Sequence, residues 1–149
     1  MGRNGSAGGV TGLLVAAIVL LIDQLTKLVA VHDTGFVPRN PSYAFGIVGG
    51  SAAVLIVGAV GVLGAFLVLA RTLATRFGVS VLLPALVAGG TLGNTLDRLR
   101  LGAVRDFMVT PWAIINVADL AVAAGVVGLA IALATQLPRF GLRPATVSR

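Results

Sequence analysis

Every acidic residue in this chain is an aspartate: Asp23, Asp33, Asp97, Asp106 and Asp119, with no glutamate among the 149 residues. Cysteine is absent, so thiolate chemistry is excluded. His32 is the single histidine. That leaves no histidine cluster for a metal, and no Ser-His-Asp triad unless His32 serves. What the inventory still permits is chemistry by paired carboxyls. Two carboxyls brought close can share one proton: one then activates water as a base while the other protonates a carbonyl as an acid. Asp106 and Asp119 fit that requirement, one in a short loop and one near the start of the apolar run that follows it. Burial at a membrane interface raises a carboxyl pKa and helps retain the shared proton. A Ser-Lys pair through Lys27 is chemically conceivable, but Ser42 and Ser51 have no special setting.

Other polar residues recur at helical spacings around that pair. Asn116 and Asp119 stand at i, i+3 and so share a helix face; a lone Asp119 could be a charge favoured by the helix dipole, but Asn116 beside it is not explained that way. In GGTLGNTLDRLR, Asn94, Asp97 and Arg98 form one stripe, and Gly89, Gly90 and Gly93 leave room for a neighbouring helix. An asparagine one turn inside an apolar run needs a hydrogen-bond partner there. Asp23 and Lys27, at i, i+4 in IDQLTKL, can neutralise one another. They are either a self-contained ion pair or a pair that faces the bundle interior and positions a polar site. In RNPSYAFGI, Asn40 and Pro41 suggest a turn, Gly46 permits close backbone approach, and Tyr43 and Phe45 suit a bilayer interface.

The elements that must position these residues are apolar. Hydrophobic residues make up 57% of the chain and charged ones 11%, with a mean hydropathy of +1.02. A soluble domain is about a quarter charged, so the deficit of charge points to one small polytopic membrane domain over residues 1–149. Four apolar runs, at 10–31, 52–70, 79–96 and 114–137, each approach the roughly 20 residues that cross a hydrocarbon core of about 30 Å. Short gaps between them predict an up-down bundle of four transmembrane helices, an all-α integral membrane fold. The formal charge of +6 would suggest nucleic acid in a soluble protein. Here the cations flank apolar runs, where they signal topology, so no nucleic-acid partner is implied. With both termini cytoplasmic, the inner segments carry six arginines (Arg3, Arg71, Arg76, Arg139, Arg143, Arg149) and the outer ones four (Arg39, Arg98, Arg100, Arg105). That modest bias puts Asp33, Asp97, Asp106 and the mouth of the Asp119 helix at the outer face. A cleaved leader is the weaker reading of the N-terminus, because Asp23 and Lys27 follow its apolar core without a convincing cleavage site.

The motifs DQLTK, NPSYAFG, GNTLDR, VRDF and NVAD, in this order on four apolar helices, resemble those of the signal peptidase II family. Each is weak alone; GN-x-x-DR followed by DF and N-x-AD is specific, and the likeness spans roughly Asp23 to Gly125. The resemblance implies a bacterial cell-membrane aspartyl protease with a four-helix bundle, a small extracytoplasmic sheet and a lid-like segment. Such enzymes cut the signal peptide from a prolipoprotein just before the lipid-modified cysteine. By motif, Asp106 and Asp119 correspond to the catalytic dyad. Asn40, Asn94, Arg98 and Asn116 correspond to polar positions that line the site or hold the dyad, and Asp23, Lys27 and Asp97 to positions that support fold or site. No metal or cofactor is implied; the expected partners are the lipidated prolipoprotein and membrane lipids.

Three features depart from the family pattern. Only 17 positions separate Asp23 from Asn40, which leaves room for a truncated sheet. Tyr43 stands where a small residue is usual. Arg105 replaces an aliphatic neighbour of the dyad, and a cation there would favour ionised Asp106. These departures motivate an alternative, a non-catalytic paralogue that binds lipidated or signal-peptide helices. A transporter using Asp23–Lys27 is a third reading, but the chain lacks the paired, interrupted helices of an inverted repeat.

Overall fold

The computed structural model describes residues 3–41 and 52–136. Ser42, Tyr43, Phe45, Gly46 and Ser51 fall outside the described residues, as do Arg139, Arg143 and Arg149. Four helices dominate: α1 (Arg3–Thr34), α2 (Ala52–Phe77), α3 (Leu82–Leu101) and α4 (Val117–Gln136). The segments Gly8–Thr34 and Val117–Thr135 are long and apolar enough to cross a membrane. Their outward residues are apolar and bare, among them Leu13, Leu14, Ile18 and Leu21 on α1 and Val127 and Ile131 on α4. Surface of that kind suits a hydrocarbon solvent.

Helix α3 is the middle of the bundle and packs against each of the other three, while α1 also touches α4. Its glycines explain why. A methyl at Gly89 would lie 2.6 Å from the Ala16 carbonyl oxygen and 2.7 Å from Val19 Cβ of α1. One residue on, a methyl at Gly90 would strike the Ala118 carbonyl oxygen of α4 and lie 2.9 Å from Val122 Cγ2. Adjacent glycines thus let two different helices approach two sides of α3. On α4, Gly125 answers in kind against Val87 and Leu83. Close backbone approach through small residues is how helices associate where lipid supplies no hydrophobic drive.

Gly90→Ala is therefore expected to destabilise the bundle by about 1–3 kcal/mol, since backbone cannot yield to the added methyl. Thermal unfolding in detergent measures this. Gly61→Ala on α2, where nothing lies within 4 Å, is expected to cause no loss.

The helix ends bring the polar residues to one end of the bundle. Pro84 sits in the first turn of α3, where its missing N–H is not needed. At the other end Gly102 takes φ 72, a left-handed value, and its N–H donates to the Arg98 carbonyl at 3.0 Å. The αL cap turns the chain back on itself. Two short antiparallel ladders follow. In the first, β1 (Arg39–Asn40) pairs with β2 (Val104–Arg105), Arg39 opposite Arg105 and Asn40 opposite Val104. In the second, β3 (Met108–Val109) pairs with β4 (Ile114–Ile115) around a Thr110–Ala113 turn. That turn is closed by Thr110, whose N–H donates to the Ala113 carbonyl at 2.9 Å and whose Oγ1 accepts the Ala113 N–H at 3.0 Å.

The observed boundaries differ from the hydropathic ones in instructive places. The second helix continues through polar residues to Phe77, and the third runs on through Asp97 and Arg98 to Leu101. Asn40, expected in a turn, is paired in β1. The largest difference is at the fourth run. Ile114 and Ile115 are extended, and the helix starts only at Val117. Hydropathy cannot see this, because the boundary is set by Asn116. Its carboxamide oxygen accepts the Asp119 N–H at 3.0 Å, while Asp119 Oδ2 accepts the Asn116 N–H at 3.1 Å. This reciprocal pair is a capping box built from Asn and Asp. Asn116 therefore caps α4 rather than sharing its face.

Candidate active site

Asp106 lies between the two ladders. Its N–H donates to the Pro38 carbonyl at 3.1 Å, and the next N–H, of Phe107, donates to Ile115 at 3.1 Å. The segment before β1 and the strand before α4 thus fix the Asp106 backbone from both sides. The side chain is buried, 3% exposed. One carboxyl oxygen accepts Asn116 Nδ2 at 2.6 Å and the other accepts Asn40 Nδ2 at 3.0 Å.

Asp119 is half-buried in the first turn of α4, where the positive end of the helix dipole favours an anion. Its Oδ1 accepts Asn94 Nδ2 at 2.8 Å and its Oδ2 accepts the Asn116 N–H. Among the described residues, each of the four carboxyl oxygens thus takes one N–H donor. Asn116 is bonded to both aspartates. Its Nδ2 reaches Asp106 and also donates to Asn94 Oδ1 at 3.1 Å, and its backbone and Oδ1 hold Asp119.

Burial pushes the Asp106 carboxyl above the usual carboxylate range. The Asn40 and Asn116 hydrogen bonds pull against that shift, and the charge of nearby Asp119 adds to it. Arg105 was expected to oppose this by favouring ionised Asp106, and it does not. Successive side chains of extended backbone point to opposite sides. The Arg105 guanidinium accordingly turns to Asp97, donating from Nη2 to Oδ1 at 2.7 Å and from Nε to Oδ2 at 3.2 Å. Its backbone N–H also donates to Asp97 Oδ2, at 3.0 Å.

Behind the pair lies a second polar layer between α1 and α3. Lys27, fully buried, donates to Asp23 Oδ2 at 2.8 Å and to Asn94 Oδ1 at 2.9 Å, and lies 3.3 Å from Asp97 Oδ2. The Asp23–Lys27 pair is therefore not self-contained: it faces the bundle interior and shares its cation with α3. Asp23 Oδ1 also accepts the Ala118 N–H at 3.0 Å, tying α1 to the first turn of α4. Arg98, buried, donates from Nη1 to the Asn94 carbonyl at 3.2 Å. All nine site residues singled out from the sequence thus gather at one end of the bundle, eight of them in one connected set of side-chain hydrogen bonds and ion contacts and Arg98 held to that set through the Asn94 backbone.

Sequence reasoning missed Gln24. Its amide nitrogen donates to Asp23, to the Gly93 carbonyl and to Asp97, at 3.1, 3.2 and 3.1 Å, and its oxygen accepts Arg105 Nη2 at 3.1 Å. A glutamine inside an apolar run carries the same demand for partners as Asn94, and that signal was available. The Pro38 carbonyl had no signal at all. Among the described residues, no three His, Cys, Asp or Glu side chains come together as a metal site.

Apolar helices thus enclose a buried aspartate that one asparagine bridges to a second. Residues 15–135 match the model of the signal peptidase (SPase) II family, and the chain belongs to that family of aspartyl proteases. A lipoprotein signal peptidase of Moorella thermoacetica is 37% identical over 134 residues, covering 77% of this chain and 87% of its own length. Another, from Syntrophus aciditrophicus, is 33% identical over 143 residues, covering 80% and 89%. Two solved bacterial membrane enzymes share the fold. One has a TM-score of 0.71 at 23% identity, covering 93% of this chain and 94% of its own. The other scores 0.66 at 25% identity, covering 83% and 92%.

Proposed function

We propose that this chain is a membrane endopeptidase that removes signal peptides from diacylglyceryl-modified prolipoproteins, with Asp106 and Asp119 activating the water. The observation that carries the reading is the bridge through Asn116, which holds one carboxyl buried and the other half-buried in a single hydrogen-bonded set. Four helices cross the bacterial cell membrane, both termini are cytoplasmic, and the site opens at the extracytoplasmic side. The excess of arginines in the inner segments supports that orientation. The two short ladders that frame Asp106 would then form the extracytoplasmic β element.

Asp106 carries the shared proton, since burial and the neighbouring anion both favour its neutral form. Asp119, nearer to solvent and at a helix N-terminus, is the anionic base. Water bound between them loses a proton to Asp119 as its oxygen attacks the scissile carbonyl carbon. Asp106 gives its proton to the carbonyl oxygen, forming a neutral gem-diol. Collapse of the diol returns a proton to Asp106, while Asp119 protonates the departing amine. The pair ends with the one proton it began with. The alternative of a non-catalytic binder loses one of its motives, because Arg105 is engaged with Asp97.

Purified protein in detergent is expected to cut a diacylglyceryl prolipoprotein immediately before its modified cysteine. The same precursor without the lipid should be left intact. Binding of the lipidated precursor with no product, even at high enzyme concentration, would contradict the proposal.

The activity should also be bell-shaped in pH. It falls at low pH, where both carboxyls are protonated, and at high pH, where the shared proton is lost. Asn40 donates to Asp106 and so favours its charged form. Asn40→Ala is therefore expected to move the basic limb of kcat/KM to higher pH, and a shift to lower pH would count against Asp106 as the proton carrier.

A further inference from the structure

Lys27 is fully buried and touches neither carboxyl of the proposed pair. An ammonium has three N–H donors; Lys27 gives two of them as hydrogen bonds, to Asp23 Oδ2 and Asn94 Oδ1, and lies in ion contact with Asp97 Oδ2 at 3.3 Å. Charge balance alone accounts for the two carboxylate contacts. Asp23 and Asp97 are offset by Lys27 and Arg105, the latter bound to Asp97. The hydrogen bond to a neutral carboxamide is not required by that balance.

Its effect follows from the shape of the group it touches. A carboxamide fits almost equally well in two orientations, and its partners choose between them. With Oδ1 facing the ammonium, Asn94 must present Nδ2 to Asp119, which it does at 2.8 Å. The same Oδ1 accepts Asn116 Nδ2, the group that also donates to Asp106. Turned over, Asn94 would set an amide nitrogen against the ammonium and an oxygen against the Asp119 carboxylate. The cation thus reinforces the one orientation of Asn94 in which it can donate to Asp119 and accept from Asn116, the residue that also holds Asp106.

We propose that Lys27 is a positioning residue for hydrolysis, acting through the Asn94 carboxamide to hold both aspartates. The proposal rests on reading Asp106 and Asp119 as the hydrolytic pair. Its test is a cycle in which buried charge stays balanced. Lys27→Met with Asp23→Asn removes one charge of each sign, leaving Asp97 with Arg105. This variant is expected to lose about 10²-fold in kcat with KM unchanged, the scale on which small misplacement of reacting groups acts. Asn94→Ala should lose about as much, and adding it to the Lys27→Met/Asp23→Asn background should cost nothing further, because both act through one contact. Lys27→Gln/Asp23→Asn, which restores an N–H donor, should recover most of the loss.

If the Met variant does not fold, Lys27→Leu/Asp23→Asn, which likewise has no N–H donor, takes its place in the same cycle. Losses that multiply, an unaltered kcat, or Met and Gln variants of equal activity would overturn the positioning role. Asp106→Asn in the same assay separates this from the underlying reading. If it still turns over, the hydrolytic pair is wrong; if it is inert while the losses multiply, only the role of Lys27 fails.

Discussion

Lys27→Met, made alone, is expected to destabilise the protein by about 3–5 kcal/mol, because breaking a buried ion cluster from one side leaves uncompensated charge behind. Asp23 and Asp97 are both wholly buried, and one arginine would remain to face them. The effect should exceed that of the opposite change. Asp97→Asn leaves Lys27 with Asp23, and Arg105 with the oxygen of Gln24. Thermal unfolding of the purified variants in detergent ranks them. The Asp23→Asn second change should recover part of the Lys27→Met loss, since it removes the surplus anion. A stability unchanged by Lys27→Met would mean that the α1–α3 layer does not hold the bundle together.

The sequence made much of this legible because membrane helices pay heavily for polar groups. In an apolar run, each Asp, Asn or Lys needs a partner there, so Asp23, Lys27, Asn94 and Asp97 could be singled out one at a time. Glycine spacing on α3 likewise foretold close packing. Two things could not be read. The start of α4 was hidden because Ile114 and Ile115 are as apolar as the helix they precede. Only the reciprocal bonds of Asn116 and Asp119 mark the true boundary. The direction of Arg105 was the other. Adjacency in sequence suggested an effect on Asp106, whereas extended backbone sent the side chain to Asp97, eight residues upstream.

The proposed pair is where substitution should matter most. Asp106→Asn and Asp119→Asn are each expected to lower the rate of prolipoprotein cleavage by about 10⁴-fold or more, the scale seen when one member of a catalytic unit is removed. An amide at position 106 cannot carry the transferable proton, and one at 119 cannot accept a proton from water. Neither change should unfold the protein. Asparagine preserves shape and leaves one donor facing a donor, at Asn40 or Asn116 for position 106 and at Asn94 or the Asn116 N–H for position 119. Such a mismatch costs about 1–3 kcal/mol, which unfolding of the same samples will register. The most direct measurement is single-turnover cleavage of a diacylglyceryl prolipoprotein, with each folded variant in excess over substrate. The account predicts full conversion by the wild type and no product from Asp106→Asn or Asp119→Asn on the same timescale. Product formed by either variant at a rate near that of the wild type would contradict it.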